Sequence, residues 1–130
     1  MSALEVMPVL AYLGCIFAVL AVARGGEMAP RALWVAAAGL GALFFAFSLV
    51  TVTREGLLQF WVNHTTDMTG NQVWFDLLIA VTLSFYLLAP RARAVGMKLM
   101  PWAIAVILTA CIALLPMLAR VIWLEQRAAK

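Results

Sequence analysis

The chain has six carboxyl side chains and one imidazole, Glu5, Glu27, Glu55, Asp67, Asp76, Glu125 and His64, in 130 residues. Asp76 has the most unusual setting, because apolar residues flank it and no charge follows until Arg91. An ionisable group inside a membrane segment is costly and ordinarily faces a bundle interior or water, so Asp76 reads as a functional position, in its sharpest form a proton or substrate site. Arg120 is its natural counter-ion where the two helices that carry them run antiparallel. The plainer reading, and the favoured one, is an interfacial ion pair that fixes helix packing, since Asp76 lies near the boundary and Arg120 can snorkel. His64 stands alone among the histidines, which excludes haem held by two histidines of one chain and a multi-histidine zinc site. With Asp67 three positions on, it has the parts of a proton shuttle or half a metal site, although a polar loop residue between Asn63 and Thr65 is the ordinary reading. Cys15 and Cys111 both fall in apolar runs and read as packing residues. There is no Gly-rich phosphate loop, no nucleophile with a partner histidine and no carboxylate pair inside the apolar runs. Redox and hydrolytic chemistry are therefore unsupported, and the reading leans away from an enzyme, with no cofactor and no metal.

The elements that position these residues follow from composition. With 66% hydrophobic and 12% charged residues and a mean hydropathy of +1.03, the chain lies far from the roughly 45–50% apolar and about 25% charged of soluble domains. It reads as a membrane chain. Asp, Glu, Lys and Arg are missing from 6–23, 32–53, 77–90 and 99–119, which predicts an all-α bundle of four transmembrane helices over about 4–23, 32–52, 72–89 and 101–120. The third run is too short to cross the hydrocarbon unless its helix begins near Gln72, which places Asp76 one turn inside the interface. Pro90 is expected to close that helix, Pro101 to open the fourth, and Pro116 to kink it. Trp34, Trp102, Trp61, Trp74 and Trp123 fall near the predicted helix ends, where indole rings favour the headgroup level.

The connector 53–71 is long and mixed. Leu57, Leu58, Phe60, Trp61 and Val62 suit a segment lying in the interface, and the polar stretch after them, with His64 and Asp67, suits a solvated loop or a lid over the bundle mouth beside Trp61 and Trp74. Asn63-His64-Thr65 matches a glycosylation sequon, a pattern too short to weigh. Ala38, Ala42 and Ala46 form a small-residue stripe, with Ala37 and Gly41 beside it, that lets another helix approach closely. Phe44, Phe45 and Phe47 read as packed or lipid-facing, with a lipid-like ligand as the sharper alternative. The connectors on one face carry Arg24, Arg31, Arg91, Arg93 and Lys98, against Arg54, Arg120, Arg127 and Lys130 on the other, nearly a tie. Counting only connectors between spans puts the Arg91–Lys98 face in the cytoplasm and both termini outside. Ala21-Val22-Ala23 is a weak cleavage site, because no positive residue precedes the apolar run, so the first span is expected to be uncleaved.

Thr69-Gly70, Gln72 and Asp76-Leu77, then Arg93 and Gly96-Met97-Lys98, then Leu115-Pro116 resemble an uncharacterised family of small bacterial integral membrane proteins, a domain family of unknown function. The resemblance covers 69–120 and departs at Met117-Leu118-Ala119-Arg120, where the arginine comes sooner than in the family pattern. It implies a bacterial inner-membrane setting and marks Asp76 as a meaningful position, and it supplies no activity. The expectation is a non-catalytic accessory or assembly subunit or a binder of a lipophilic molecule, associated with the lipid bilayer and with a membrane-protein partner or copies of itself, and not with nucleic acid. The alternative is a small oligomeric transporter or channel with Asp76 as its coupling carboxylate. An enzyme acting on a lipid or isoprenoid, with Asp76, His64 and Asp67 at the mouth, ranks last.

Overall fold

The computed structural model describes residues 2–129, Ala3 by its backbone alone. It is all-α, with six helices: α1 (Ala3–Ala23), α2 (Pro30–Glu55), α3 (Leu57–Thr65), α4 (Met68–Ala94), α5 (Leu99–Thr109) and α6 (Cys111–Ala128). Three of them, Leu4–Ala23 within α1, then α2 and α4, are long and apolar enough to cross a membrane. The helix starts follow local chemistry. Ser2 and Glu5 form a capping box at α1, with the Glu5 carboxylate accepting from the Ser2 amide at 2.7 Å. Pro30 opens α2, where its missing N–H costs nothing. Asp67 caps α4, its carboxylate accepting from the Gly70 amide at 2.7 Å.

Two expectations about the second half of the chain are corrected. Pro90 does not end the third helix. It lies inside α4, which continues to Ala94 with Arg91 and Arg93 in its last turn, where cations face the carbonyl end of the helix dipole favourably. Nor is 101–120 a single span. The chain breaks at Ala110, the only non-glycine residue with positive φ among those described (φ 49, ψ −119), and α6 folds back beside α5.

The packing shows the reversal. Val81, Val106 and Ala113 form one buried cluster, and Leu88, Ala92, Met117 and Val121 form another, with Leu99 and Trp102 packed against the second. Along α4 the order 81 then 88 and 92 meets 113 then 117 and 121 on α6, so these two run parallel. On α5 the order is inverted, 106 then 102 and 99, so α5 runs antiparallel to both. An 11-residue α5 rises only about 16 Å, about half of a ~30 Å hydrocarbon core. The α5–α6 unit is thus a helical hairpin that enters from the end of the bundle holding the 95–98 turn and returns to it. Pro116 sits within α6 rather than at the break.

α2 lies antiparallel along the other side of α6. Trp34 donates its indole N–H to Gln126 Oε1 at 3.1 Å near one end. Farther along, a Cβ added at Gly41 would stand 3.3 Å from both Leu115 Cβ and Pro116 Cδ, the close approach that small residues permit. The buried residues of α2 are Ala37 and Gly41, whereas Ala38, Ala42 and Ala46 are exposed. The small-residue stripe that packs is therefore the neighbouring one, about 100° round the helix from the expected one. α1 makes no contact group with any other helix among the described residues.

Candidate functional site

At the α3 end of the molecule, the connector 53–71 is mostly helix. The corner between α3 and α4 is tight: a Cβ on Gly70 would fall 2.6 Å from the Asn63 carbonyl oxygen, so glycine is the residue that fits. This closeness lays α3 against the first turns of α4 and assembles an aromatic cluster. Phe60 and Trp74 meet edge to face with ring centroids 5.4 Å apart, Trp61 and Trp74 do so at 6.4 Å, and His64 lies 4.6 Å from Phe60 and 5.5 Å from Trp74. Such edge-to-face geometry is favourable for ring quadrupoles. His64 Nδ1 donates to the Phe60 carbonyl at 2.7 Å, the only sense possible because a carbonyl accepts, and in the neutral ring Nε2 is left as an acceptor.

Three of the expected mouth residues, Trp61, His64 and Trp74, are thus brought together, and Phe60 joins them. Phe60 was legible only as an interfacial anchor, one helical turn before His64. Asp67 serves as the cap of α4. Asp76 does not join the cluster. It follows Trp74 by two positions on one helix, about 200° round the axis, so its side chain leaves the opposite face, exposed between Phe75 at 61% and Ile79 at 59%. Among the described residues no group of three or more His, Cys, Asp or Glu converges, and the convergence of His64 with Asp76 that lipid chemistry would require is not present.

Arg120 lies at the other end of the bundle. Because α6 runs parallel to α4, Arg120 meets the turn after α4: with Lys98, Trp102 and Leu124 it lines a cleft of about 410 Å³ that also touches Gly96. The expected ion pair between Asp76 and Arg120 is accordingly corrected. Asp76 stands in the first third of α4, Arg120 faces the residues just beyond its last turn, and the hairpin at Ala110 is the physical reason for their separation. The one salt bridge among the described residues joins Arg91 to Glu125 instead, with Nη2 to Oε2 at 2.7 Å and Nε to Oε1 at 2.9 Å. This bidentate geometry ties the ends of α4 and α6 together. Arg127 stacks over Trp123 at 3.8 Å. The Arg91 pair lay outside what spacing could show, because it depends on the chain turning back, whereas the Arg127 stack is an i,i+4 contact within α6 that helical spacing allows.

A second cleft, about 360 Å³, runs between α4 and α6 and is lined by Ser84, Leu87, Arg91, Leu114 and Leu118 among others. It is apolar apart from Ser84 and Arg91. No buried side-chain polar atom lacks a partner among the described residues. No family model, curated protein or solved structure matches the chain.

Proposed function

We propose that this chain is a non-catalytic subunit of a bacterial inner-membrane assembly, crossing the bilayer with α1, α2 and α4 and holding α5–α6 as a hairpin that enters from one face. The observation that carries this reading is how little its own helices cover one another. The apolar windows of α1, α2 and α4 are 0%, 11% and 17% buried, and among the described residues α1 packs against no other helix. An exposed carboxylate, Asp76, adds to it, because an ionisable group facing lipid is costly and a neighbouring polypeptide relieves that cost. The resemblance over 69–120 is kept as a proposed kinship and contributes no activity.

The fold also bears on orientation. With α6 turned back, Arg24, Arg31, Arg91, Arg93, Lys98, Arg120 and Arg127 gather at one end, and Arg54 is left at the end that holds Glu55, Asp67 and Asp76. The near tie expected from four straight spans becomes a strong asymmetry. The positive-inside rule then places the 95–98 turn and the end of α6 in the cytoplasm, with α3 outside. In this reading the end of α6 lies on the inner face and the start of α1 on the outer, whereas both termini were expected outside; Met1 and Lys130 themselves lie outside the described residues.

The test is native mass spectrometry of the protein released gently from its host membrane. A stoichiometric protein partner or a fixed homo-oligomer is expected, and a bare monomer that retains full stability would overturn the reading. A second reading, a small oligomeric transporter, is favoured by one feature. The break at Ala110 lies level with Leu77 and Val81 of α4, deep within an apolar helix, and irregular backbone at such depth is tolerated where protein or water covers it. Solute flux in proteoliposomes that Asp76→Asn abolishes would promote this reading to first place.

A further inference from the structure

We propose that the cleft beside the 95–98 turn binds the phosphate group of an anionic phospholipid, gripped by Lys98 and Arg120. Both cations line the same cleft of about 410 Å³, and neither forms a salt bridge with a carboxylate among the described residues. Two nearby cations are already engaged, Arg91 by Glu125 and Arg127 by the Trp123 ring. Two like charges facing one opening repel each other, and an oxyanion between them converts that repulsion into two charge-assisted hydrogen bonds. The backbone shapes the opening. Gly96, at φ +75, ends α4 with its amide donating to the Arg93 carbonyl and that of Met97 donating to Ala92, and the tight turn delivers Lys98 to the rim directly before α5 begins.

The shared chemistry is a phosphate oxyanion, and the surroundings favour its lipid form over a soluble one. Pro101 and Trp102 form the cleft's wall, and Trp102 also packs on the buried Met117 cluster. Indole rings with one side in a core and one at a headgroup are typical of the interface. From Pro101 an apolar stripe continues along α5 at helical spacing through Ile104, 54% exposed, and Leu108, 77% exposed. A headgroup held by Lys98 and Arg120 would lay an acyl chain along that stripe, where these side chains stand exposed. Basic pockets between membrane helices on the cytoplasmic side bind anionic headgroups in this manner.

The experiment compares lipid retention by native mass spectrometry after purified protein is equilibrated with phosphatidylglycerol or with phosphatidylcholine. Wild type is expected to retain phosphatidylglycerol about tenfold better, and Lys98→Gln/Arg120→Gln to fall to the phosphatidylcholine level. Arg54→Gln, at the opposite end, is expected to keep the preference. A double variant that retains the wild-type preference would overturn the site. Displacement of phosphatidylglycerol by millimolar inorganic phosphate would overturn the lipid assignment. Should the double variant fail to fold, acetylation of Lys98 in wild type and in Arg120→Gln serves instead. Slower acetylation in phosphatidylglycerol nanodiscs than in phosphatidylcholine is expected for wild type and not for the variant, and equal ratios in both proteins would refute the proposal. The inference rests on the membrane setting but not on a protein partner, since purified protein is used throughout, so its failure is distinct from failure of the subunit reading.

Discussion

α1 and α6 invert the usual relation between apolarity and burial. α1 carries a single charge, Glu5, yet none of its apolar window is buried. α6 carries Arg120, Glu125 and Arg127, yet it holds Ala113, Met117, Ala119, Val121 and Ile122 in the core. In water the more apolar helix would be the inner one. In a bilayer the lipid is as apolar as any core, so apolarity records contact with lipid and packing is governed by shape, small residues and polar ties. α6 has those: Gly41 and Ala37 of α2 on one side, Leu88 and Ala92 of α4 on another, and hydrogen bonds at its end to Trp34 and Arg91.

This contrast sets out an ordered series of substitutions, each read as unfolding free energy in detergent micelles. Met117→Ala empties a site that is 0% exposed and is expected to destabilise by about 3 kcal/mol, within the range of buried Met or Leu truncations. A cost below about 0.5 kcal/mol would mean that α6 is not the packing centre. Gly41→Leu forces side-chain atoms into a gap where even a Cβ meets Leu115 and Pro116 at 3.3 Å, and a loss of about 1–3 kcal/mol is expected as α2 and α6 part. The matching change Ala42→Leu, at an exposed position of α2, should cost much less, and equal costs would return the contact to the Ala38–Ala42–Ala46 stripe.

Ala110→Gly has a diagnostic sign. At φ 49 the alanine Cβ is strained, and glycine relieves about 1 kcal/mol. In an unbroken span the same change would instead lower stability by about 1 kcal/mol. Stabilisation therefore supports the hairpin and destabilisation speaks for a straight helix. Phe17→Ala on α1, where Phe17 is 76% exposed, should alter monomer stability by less than about 0.5 kcal/mol. A large effect seen in native membranes and not in micelles would show that a partner covers α1.

The first half of the chain was legible because its signals are local. The charge-free runs bounded by Arg24 and Arg54, with Pro30 between them, suffice to mark α1 and α2, and the Leu57–Val62 pattern marked a segment distinct from a simple loop. The third helix was legible in its middle but not at its ends: it begins at Met68, a turn before the expected Gln72, because Asp67 caps it, and Pro90 sits close enough to the terminus for the last turn to form around it. The reversal at Ala110 was not legible. Thr109-Ala110-Cys111 contains no Gly, Pro or Asn, so nothing local announces a turn, and Pro116 drew attention to the wrong place. What holds the turn is tertiary, since Met117 and Val121 reach their burial only by lying back against Leu88 and Ala92.

That single omission displaced the candidate site. Asp76 and Arg120 pair only if 101–120 crosses straight through. Once it folds back, Arg120 belongs with Lys98 and Trp102, and Asp76 is left on an outward face of α4. Trp61, His64 and Trp74 come together all the same, because their meeting depends only on a short corner, Thr66-Asp67, which the structure closes with the Asp67 cap and the close approach at Gly70.

The most direct test of the hairpin is a pair of cross-linking measurements in native membranes, on a background with Cys15 and Cys111 replaced by serine. Arg91→Cys/Glu125→Cys joins positions whose native side chains are hydrogen-bonded, and Asp76→Cys/Arg120→Cys joins positions that a straight fourth span would bring to one leaflet. Efficient intramolecular cross-linking of the first pair by a short bismaleimide, with none in the second, is the predicted result. Cross-linking of the second pair without the first would contradict the fold-back and restore the four-span bundle.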